Sequence, residues 1–256
     1  MPFDSDRYHQ LRTSTRVGAE VVHEETVTST MDAARSGAEA GRPCGTAYAA
    51  GAQTAGRGRQ GRTWVSAAAT GLYVTYHLCP ADAPRAPLLS IVGGMAAAGA
   101  IREAAGLEVD LKWPNDLLHG GRKLCGVLAE AEHRGEQMNV YLGIGINLHT
   151  NPEMPPEVAA IATSIEAAGV APPEPEVLLA ALSTSLERYE QQAADDPDGL
   201  VGAWRDRLVT IGRRVRVAAP DGEFEGEAID VSSTGELILD LGGAHRAFSA
   251  GDVTTV

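Results

Sequence analysis

Three arginines and three glycines occupy six of the seven positions from Gly56 to Arg62, in the stretch GRGRQGR. Arginine side chains make paired hydrogen bonds to carboxylates and phosphates, and glycines let backbone N–H groups approach an anion closely. Gly56, Gly58 and Gly61 also satisfy the G-x-G-x-x-G spacing of dinucleotide-binding turns. Two interpretations therefore compete for this segment: a dinucleotide site, and a loop that becomes ordered around a small anionic ligand.

The sequence on either side of the loop argues against a dinucleotide site. That fingerprint needs an apolar strand before its first glycine and a helix after its last one. Here the polar stretch AQTA precedes Gly56, and the stretch GLYVTYHL at 71–78 predicts a strand on the other side. A solvated arginine–glycine turn is a simpler alternative, but so many glycines are costly to hold in order without a ligand. We therefore expect an anion-binding loop.

Three further segments place polar side chains at the ends of predicted strands. They are KWPNDLL (112–118), KLCGVLAE (123–130) and GIGINL (143–148). A proline turn carries Asn115 and Asp116 in the first, Lys123 begins the second, and Asn147 lies near the end of the third. Taken singly, each is most simply a β-turn or a solvated strand end. The alternative for Lys112 and Asp116 is a nucleotide site, in which the lysine supplies charge and the carboxylate handles Mg²⁺ or a proton.

The composition restricts the classes of partner. A formal net charge of −13 argues against general binding to nucleic acids or anionic membranes, because both need a basic protein surface. The longest weakly polar run, residues 86–101, is interrupted by Gly93 and Gly94 and is shorter than the roughly 20 apolar residues of a membrane span. The N-terminal stretch contains no apolar signal-peptide segment. We expect a cytoplasmic protein with a local anion site and with neither nucleic acid nor membrane as a partner.

The three cysteines, Cys44, Cys79 and Cys125, are far apart in the sequence and show no C-x-x-C spacing. Their odd number and wide separation are typical of a chain from a reducing compartment. They predict neither a disulfide framework nor a zinc site. No activating motif lies beside any of them, so a nucleophilic cysteine is not expected either.

The order of apolar runs predicts an α+β fold with a mixed or mainly antiparallel sheet, because several strands follow one another without a helix between them. A doubly wound parallel sheet would need a helix after each strand. The predicted helices are an alanine-rich one capped at Ser29 or Thr30 and ending at Gly41, one from Pro87 to Gly106, and three over 155–169, 175–193 and 198–208.

The pattern of apolar runs and turns changes near Gly212, and this change divides the chain into two parts. After that point short alternating runs are separated by D-G, T-G and G-G turns, which predicts four or five short strands in a small barrel or sandwich. Residues 1–18 are polar and aperiodic and predict a flexible tail. The predicted organisation is therefore a tail at 1–18, a main domain at 19–209 and a β domain at 210–256.

Taken in order, these motifs resemble those of the biotin protein ligases, the biotin–[acetyl-CoA-carboxylase] ligases. The resemblance extends from about residue 21 to the C-terminus and is carried by TST (28–30), QTAGRGRQGRTW (53–64), KWPNDLL, KLCGVLAE and GIGINL. It implies a class II synthetase-like catalytic domain followed by a small SH3-like β-barrel. Relatives that also repress transcription carry an N-terminal helix-turn-helix domain, and the resemblance here is to the ligase-only type, which lacks this DNA-binding domain.

The resemblance implies a reaction in two steps. The biotin carboxylate attacks the α-phosphorus of MgATP to give biotinyl-5′-AMP and pyrophosphate. A lysine of a biotin carboxyl carrier protein then takes the biotinyl group and releases AMP. Biotin and ATP are the expected small molecules, with Mg²⁺ as the metal and the carrier protein as the partner. A lipoate-type ligase and a non-enzymatic biotin or nucleotide sensor are the alternatives.

The resemblance also assigns roles by motif position. Biotin contacts are expected from Ser29, Thr30, Met31, Gln53, Gly56, Arg57, Gly58, Arg59, Lys123, Gly126 and Leu128. Contacts to ATP or the adenylate are expected from Arg57, Arg59, Arg62, Trp64, Asn115, Lys123 and Asn147. Catalytic roles are expected for Arg57, Lys112, Asp116 and Lys123, with Asp116 also the candidate Mg²⁺ ligand. Met31 departs from the family, which often has asparagine there and so one more polar contact near the biotin ring.

Overall fold

The computed structural model describes residues 3–80 and 88–256, and its larger sheet has seven strands. The strands in chain order are β1 (Val21–Val27), β2 (Ala47–Gln53), β3 (Gly71–Leu78), β4 (Asp110–Lys112), β5 (Asp116–His119), β6 (Arg122–Arg134) and β7 (Gln137–Asn147). Their order across the sheet is β1-β2-β3-β7-β6-β5-β4, and neighbours are antiparallel except for the parallel pair β1 and β2. The predicted α+β fold with a mixed sheet is confirmed.

Helices cover both faces of this sheet. Within the described residues they are α1 (Ser5–Leu11), α2 (Thr30–Glu39), α3 (Leu88–Ala105), α4 (Pro156–Ala159), α5 (Pro175–Asp195) and α6 (Pro197–Arg205). Adjacent residues of a strand point to opposite faces. On β7, a Cβ at Gly143 would meet Met31 of α2, whereas Leu142 lies beside Gly93 of α3. Helix α2 therefore covers one face, and α3, with α5 packed against it, covers the other.

Helix α3 is the buried centre of the second face. Gly93 lies so close to β6 that a Cβ there would be 2.9 Å from Val127 Cγ1. Among the described residues α3 is the one helix long and apolar enough to cross a membrane, and 72% of it is buried inside the protein. Its apolar character is therefore that of a core helix. The predicted start at Pro87 lies outside the described residues, and the helix ends at Ala105, just before the predicted Gly106.

The predicted flexible tail at 1–18 differs from the structure, in which residues 5–11 form α1. Asp4 caps this helix by accepting a hydrogen bond from Arg7 N at 2.9 Å. Tyr8 is fully buried, and its hydroxyl donates to Gly18 O at 2.8 Å and lies 2.9 Å from Ser183 Oγ of α5. One buried aromatic residue in a polar run gives no periodic signal, so the sequence does not reveal this helix.

Replacing Tyr8 with alanine is expected to lower the free energy of unfolding by about 3–5 kcal/mol, the usual effect of deleting a buried aromatic side chain. Tyr8→Phe keeps the ring but loses the hydrogen bonds to Gly18 and Ser183, so a loss of about 1–2 kcal/mol is expected. Urea unfolding followed by tryptophan fluorescence measures both. Leu11→Ala, at an exposed position of the same helix, is the matched control. Small and equal effects at the two positions would show that α1 is not anchored through Tyr8.

The predicted helix at 155–169 is reduced to one turn, α4. Beyond that turn the backbone pairs with β6, because Lys123 N donates to Ile161 O and Thr163 N donates to Lys123 O, both at 2.8 Å. These pairings occupy backbone groups that a continuing helix would need for itself. The predicted alanine-rich helix does form as α2, and Ser29 is its N-cap.

A five-stranded antiparallel sheet forms the C-terminal part of the chain. Its strands are β8 (Arg214–Ala219), β9 (Gly222–Val231), β10 (Leu237–Asp240), β11 (His245–Phe248) and β12 (Asp252–Thr255). Their order is β11-β10-β9-β8-β12. The predicted small C-terminal β domain is confirmed. It contacts the main sheet through Trp113, whose Nε1 donates to Gly235 O at 2.9 Å.

Cys44 and Cys79 form a disulfide with their Cα atoms 5.8 Å apart, so the prediction of no disulfide is wrong. The reason lies in the register of β2 and β3, in which Ala47 pairs with Tyr76. Continuing that antiparallel register three residues beyond Ala47 brings Cys44 opposite Cys79. Sequence spacing alone does not reveal a register. Cys125 is free and fully buried, and burial raises the pKa of its thiol.

Candidate active site

A cavity of about 680 Å³ lies beside the N-terminus of α2. It is bounded by the arginine–glycine loop, by β3, β5, β6 and β7, and by β12 of the C-terminal sheet. Of the residues with a predicted role, all except Gly56 line it. Gly56 lies beneath the lining, where a Cβ would collide with the Trp64 carbonyl oxygen. The structure therefore brings the predicted residues together around one space, and their individual roles stay predictions.

A network of hydrogen bonds fixes the end of the cavity next to α2. Ser29 Oγ accepts from Met31 N at 3.2 Å. Gln53 Oε1 accepts from Thr30 N at 2.9 Å and from Thr30 Oγ1 at 3.1 Å, while Gln53 Nε2 donates to Ser66 Oγ at 2.8 Å. Both ends of the Gln53 amide therefore have protein partners. In this arrangement Gln53 positions Thr30 and the end of the loop.

Trp64 lies against a part of the sheet that has no side chains. A Cβ at Gly145 would be 2.5 Å from Trp64 Cε2, and a Cβ at Gly126 would be 2.9 Å from Trp64 Cζ3. Gly126 of β6 and Gly145 of β7 pair with each other across the two strands. The glycines of two motifs are therefore needed for the close approach of one indole ring. Gly143 likewise leaves room for the Met31 side chain, because a Cβ there would be 3.1 Å from Met31 Cε.

Lys123 and Asp116 form an ion pair in the wall of the cavity. Lys123 Nζ is 2.5 Å from Asp116 Oδ1 and 5.3 Å from the centroid of the Trp64 ring. Both residues come from the β5–β6 hairpin, in which Asp116 pairs with Gly126. Their side chains are 30% and 22% exposed, so the pair is partly removed from water and its electrostatic effect is stronger than at the surface. A cation held in this way can stabilise negative charge that develops on a ligand.

Two loop arginines are paired with carboxylates on other elements. Arg57 is paired with Asp32 of α2, and its Nη1 lies 3.8 Å from Glu130 Oε2 of β6. Arg62 is paired with Asp252 at the start of β12. These ion pairs tie the loop to the main domain on one side and to the C-terminal sheet on the other.

Arg59 is the inner arginine of the loop. Its Nη1 donates to Asn115 Oδ1 at 3.3 Å and to Gly251 O at 3.4 Å. Burial lowers the pKa of its guanidinium, which nevertheless stays charged at neutral pH. Arg59 and Asn115 also line a second cavity of about 430 Å³, between the main sheet and the C-terminal sheet. Arg59 therefore lies at the boundary that the two cavities share.

The asparagines and Lys112 complete the predicted set. Asn115 Nδ2 donates to Val127 O at 2.5 Å, and Asn147 Nδ2 donates to Thr163 O at 2.9 Å. Both amides therefore hold neighbouring backbone segments as well as lining the cavity. Lys112 lines it from β4, where its backbone pairs with Asp116.

Comparison with known proteins identifies the family. Residues 25–147 match the biotin/lipoate A/B protein ligase family, and residues 210–254 match the biotin protein ligase C-terminal domain. The chain is 38% identical over 207 residues to the biotin–[acetyl-CoA-carboxylase] ligase of Mycobacterium tuberculosis, which covers 78% of this chain and 75% of that protein. It is 32% identical over 240 residues to the bifunctional ligase/repressor BirA of Bacillus subtilis. That alignment covers 91% of this chain and 74% of the relative. The chain belongs to the biotin protein ligase family.

The three-dimensional likeness to a solved biotin protein ligase extends over both sheets. The enzyme from Aquifex aeolicus in complex with biotin and ATP superimposes with a TM-score of 0.79 at 26% identity. The match covers 92% of this chain and 98% of that one. The two-part architecture that the motifs implied is therefore confirmed as the fold of this ligase chain.

Several residues of the site lie outside the motifs that identify this biotin protein ligase. Thr75 of β3 is buried, and its Oγ1 lies 2.8 Å from Thr30 Oγ1. Ser66, Asp32 and Asp252 hold Gln53, Arg57 and Arg62 as described above. Thr75 and Asp252 sit in ordinary strand sequences, so only the folded register brings them to the cavity. Asp32 could have been predicted from the sequence, because an acidic residue in the first turn of a helix lies at the same end of the helix as its N-cap.

Proposed function

We propose that this chain is an ATP-dependent biotin–protein ligase that attaches biotin to a lysine of a biotin carboxyl carrier protein. The observation that carries the proposal is one cavity in which Lys123 and the three loop arginines surround a space bounded by Trp64. Membership of the biotin protein ligase family supports the same reaction. The carrier protein as acceptor and a cytoplasmic location are parts of this proposal.

In the first step a biotin carboxylate oxygen attacks the α-phosphorus of ATP, and the bond from that phosphorus to the departing pyrophosphate breaks. Both reactants are anions, so positioned cations must offset their repulsion. Arg57 and Arg62 already face carboxylates. Arg59 is hydrogen-bonded to neutral oxygens of the described chain, and Asp252 and Asp116 act on its charge only from beyond hydrogen-bond distance, so it is the loop arginine most available to the ligand. Lys123 bridges the carboxylate and the α-phosphate, and no protein nucleophile takes part.

In the second step the neutral amine of the acceptor lysine attacks the acyl carbon of the mixed anhydride, and AMP leaves. The attacking nitrogen must give up a proton as the new amide bond forms. Asp116 is the carboxylate nearest to Lys123, and we assign to it the role of steering the amine and receiving that proton. The anhydride hydrolyses in water, so the loop over the cavity also protects it.

The residues fit a Mg²⁺ ion that is carried mainly by the nucleotide. Mg²⁺ takes oxygen ligands and is usually held in such sites by phosphates with one or two carboxylates. Asp116 offers one carboxylate to the cavity, and its Oδ1 is engaged by Lys123. Asp116 is therefore the residue that would hold the ion, which when bound offsets phosphate charge.

Biotin-dependent exchange of labelled pyrophosphate into ATP, measured with the purified chain, is the experiment that tests this function. Exchange with biotin, followed by labelling of a carrier domain when one is added, is the expected result. Equal exchange with lipoate would replace the proposal with a lipoate-type ligase. Binding of biotin without exchange would replace it with a sensor.

Gly145→Ala is expected to raise the KM for biotin roughly five- to a hundredfold, the effect of 1–3 kcal/mol of overpacking. The new Cβ would meet the Trp64 ring at 2.5 Å and push the indole into the cavity. The exchange assay at varied biotin gives the KM, and tryptophan fluorescence reports the displaced ring. Gly202→Ala is the matched control, since a Cβ there meets nothing within 4 Å. An unchanged KM would mean that the displaced indole does not reach the biotin site.

A further inference from the structure

A group of side chains at the far end of β3 takes no part in the proposed reaction. His77 Nε2 lies 3.5 Å from Cys79 Sγ and 2.8 Å from Asn139 Oδ1. Gln137 Nε2 lies 3.0 Å from Cys79 Sγ and 3.4 Å from Cys44 Sγ. His77 and Asn139 are buried, whereas the two cysteines are partly exposed. We call these five residues the cysteine cluster.

We propose that Cys44 and Cys79 are a thiol–disulfide exchange site whose co-reactant is a small thiol of the glutathione class. Both cysteine residues are partly exposed, which gives such a thiol access to this part of the chain. Gln137 Nε2 lies 3.0 Å from Cys79 Sγ and 3.4 Å from Cys44 Sγ, and an N–H donor at the shorter distance stabilises a thiolate more. The sulfur that forms the more stable thiolate is the better leaving group in exchange. Cys79 is therefore the leaving sulfur and Cys44 the one attacked.

The exchange balances in two steps. The thiolate of the small thiol attacks Cys44 Sγ, the bond between the two cysteines breaks, and its electron pair stays on Cys79 Sγ. A second small thiolate attacks the mixed disulfide, which releases the oxidised small molecule and leaves Cys44 as a thiolate. The protein gains two electrons, and solvent supplies any protons that the sulfurs take up. Oxidation by the disulfide form of the same small molecule is the reverse.

A metal ion is the competing occupant of the cysteine cluster, because ligand atoms of Cys44, His77 and Cys79 all lie within 4.8 Å of one another. The histidine tautomer argues against it. His77 Nδ1 is buried and has no hydrogen-bond partner among the described residues. The ring proton therefore belongs on Nε2, where Asn139 Oδ1 accepts it. A metal bound at Nε2 would move that proton to Nδ1, where no group receives it.

The position of the pair gives the exchange a structural consequence. Strands β2 and β3 form an antiparallel hairpin with the arginine–glycine loop at its tip, and Cys44 and Cys79 lie at its base. The disulfide closes a covalent ring that contains the whole loop. Reduction opens that ring without breaking any backbone contact of the cavity. This inference does not depend on the proposed function.

The exchange is tested on the full-length protein in glutathione buffers of defined ratio. Alkylation of the folded protein with N-ethylmaleimide, followed by intact-mass measurement, counts its accessible free thiols. Two thiols are expected to appear together, reversibly and without denaturant, while Cys125 stays unlabelled because it is fully buried. A pair that is reduced only when the protein unfolds, or that never oxidises in glutathione disulfide, overturns the proposal. One equivalent of Zn²⁺ retained by the reduced protein after gel filtration also overturns it.

Single variants test the assignment of the leaving sulfur. In Cys44→Ser the remaining thiol, Cys79, lies 3.0 Å from Gln137 Nε2, and in Cys79→Ser the remaining thiol, Cys44, lies 3.4 Å from it. Because the shorter contact stabilises the thiolate more, the thiol of the first variant is expected to react with iodoacetamide faster than that of the second at neutral pH. Equal rates, or a faster Cys44, would overturn the assignment.

Trypsin gives an independent measure of the connectivity. Arg62 in the loop has a side chain that is 58% exposed, so cleavage there is expected under native conditions. Protein cut at Arg62 and nowhere else should still run as one species on a denaturing gel when it is oxidised, because the disulfide joins the two pieces. Adding reductant should separate them. Separation without reductant would contradict the Cys44–Cys79 link.

Discussion

Replacing Lys123 with alanine is expected to reduce biotin-dependent pyrophosphate exchange by at least about 10³-fold, which amounts to loss of the first step. Loss of one preorganised hydrogen-bond donor at a reacting oxygen lowers kcat by about 10²–10³. In the proposed reaction Lys123 supplies a full charge to a carboxylate and a phosphate that repel each other. Its removal also leaves Asp116, 2.5 Å away in the intact protein, as an unopposed negative charge in the same cavity. The two effects act in the same direction, against binding of anions.

Lys123→Arg distinguishes the effect of the positive charge from the effect of the shape of the lysine side chain. The arginine keeps the positive charge but spreads it over a planar group, so partial exchange activity is expected. Urea unfolding of both variants shows whether the fold is retained, and titration with biotin alone shows whether the cavity still binds. Exchange at the normal rate in Lys123→Ala would remove this residue from the mechanism.

The lining of the cavity was largely predictable because its chemistry lies in short contiguous motifs. KWPNDLL and KLCGVLAE bring Asp116 and Lys123 onto one hairpin, and a hairpin fixes which residues face each other. Glycine at 126 and 145 also carried information, although its meaning was not evident from the sequence. The need for those glycines follows from the indole of Trp64, which reaches them from a different part of the chain.

The parts that were not predictable depend on register and tertiary contact. Thr75 reaches Thr30 only because β3 and α2 meet on one face of the sheet. The pairing of Cys44 with Cys79 follows from the β2–β3 register, which residue spacing does not contain. The predicted helix at 155–169 ends early because β6 offers the backbone of Ile161 and Thr163 an alternative partner. In each case a distant element decides between local options that the sequence leaves open.

The ion pairs of the loop show why its arginines are not equivalent. In the sequence they form one basic cluster, and the resemblance assigned all three to the same ligand. In the structure Arg57 and Arg62 lie with carboxylates of α2 and β12. Arg59 hydrogen-bonds to neutral oxygens at the boundary of two cavities, and Asp252 and Asp116 act on its charge without an ion pair. We therefore predict that the outer two arginines hold the loop in place and that the inner one carries the charge that a ligand meets.

Arg59→Gly is accordingly expected to let the adenylate escape before transfer. The substitution removes a charge-assisted contact to the ligand, worth about 1.5–3 kcal/mol, so release of biotinyl-5′-AMP should be roughly ten- to a hundredfold faster. It also removes the side chain that joins Asn115 to Gly251 and lies between the two cavities. Free adenylate acylates any exposed amine. Mass spectrometry of a mixture of carrier domain and an unrelated protein should find biotin on many lysines of both.

Arg62→Gly is the matched control that separates leakage from general loosening of the loop. It removes an arginine from the same loop, but one whose charge is already offset by Asp252 and whose side chain is 58% exposed. Surface ion pairs contribute about 0–1 kcal/mol, so leakage from this variant should rise only a few-fold. If both variants label lysines equally, losing the contacts of either arginine is enough to open the loop and release the adenylate. If Arg59→Gly modifies the carrier lysine alone, Arg59 does not retain the adenylate. Only strong and selective leakage from Arg59→Gly assigns retention to the one loop arginine that forms no ion pair with a carboxylate of the described residues.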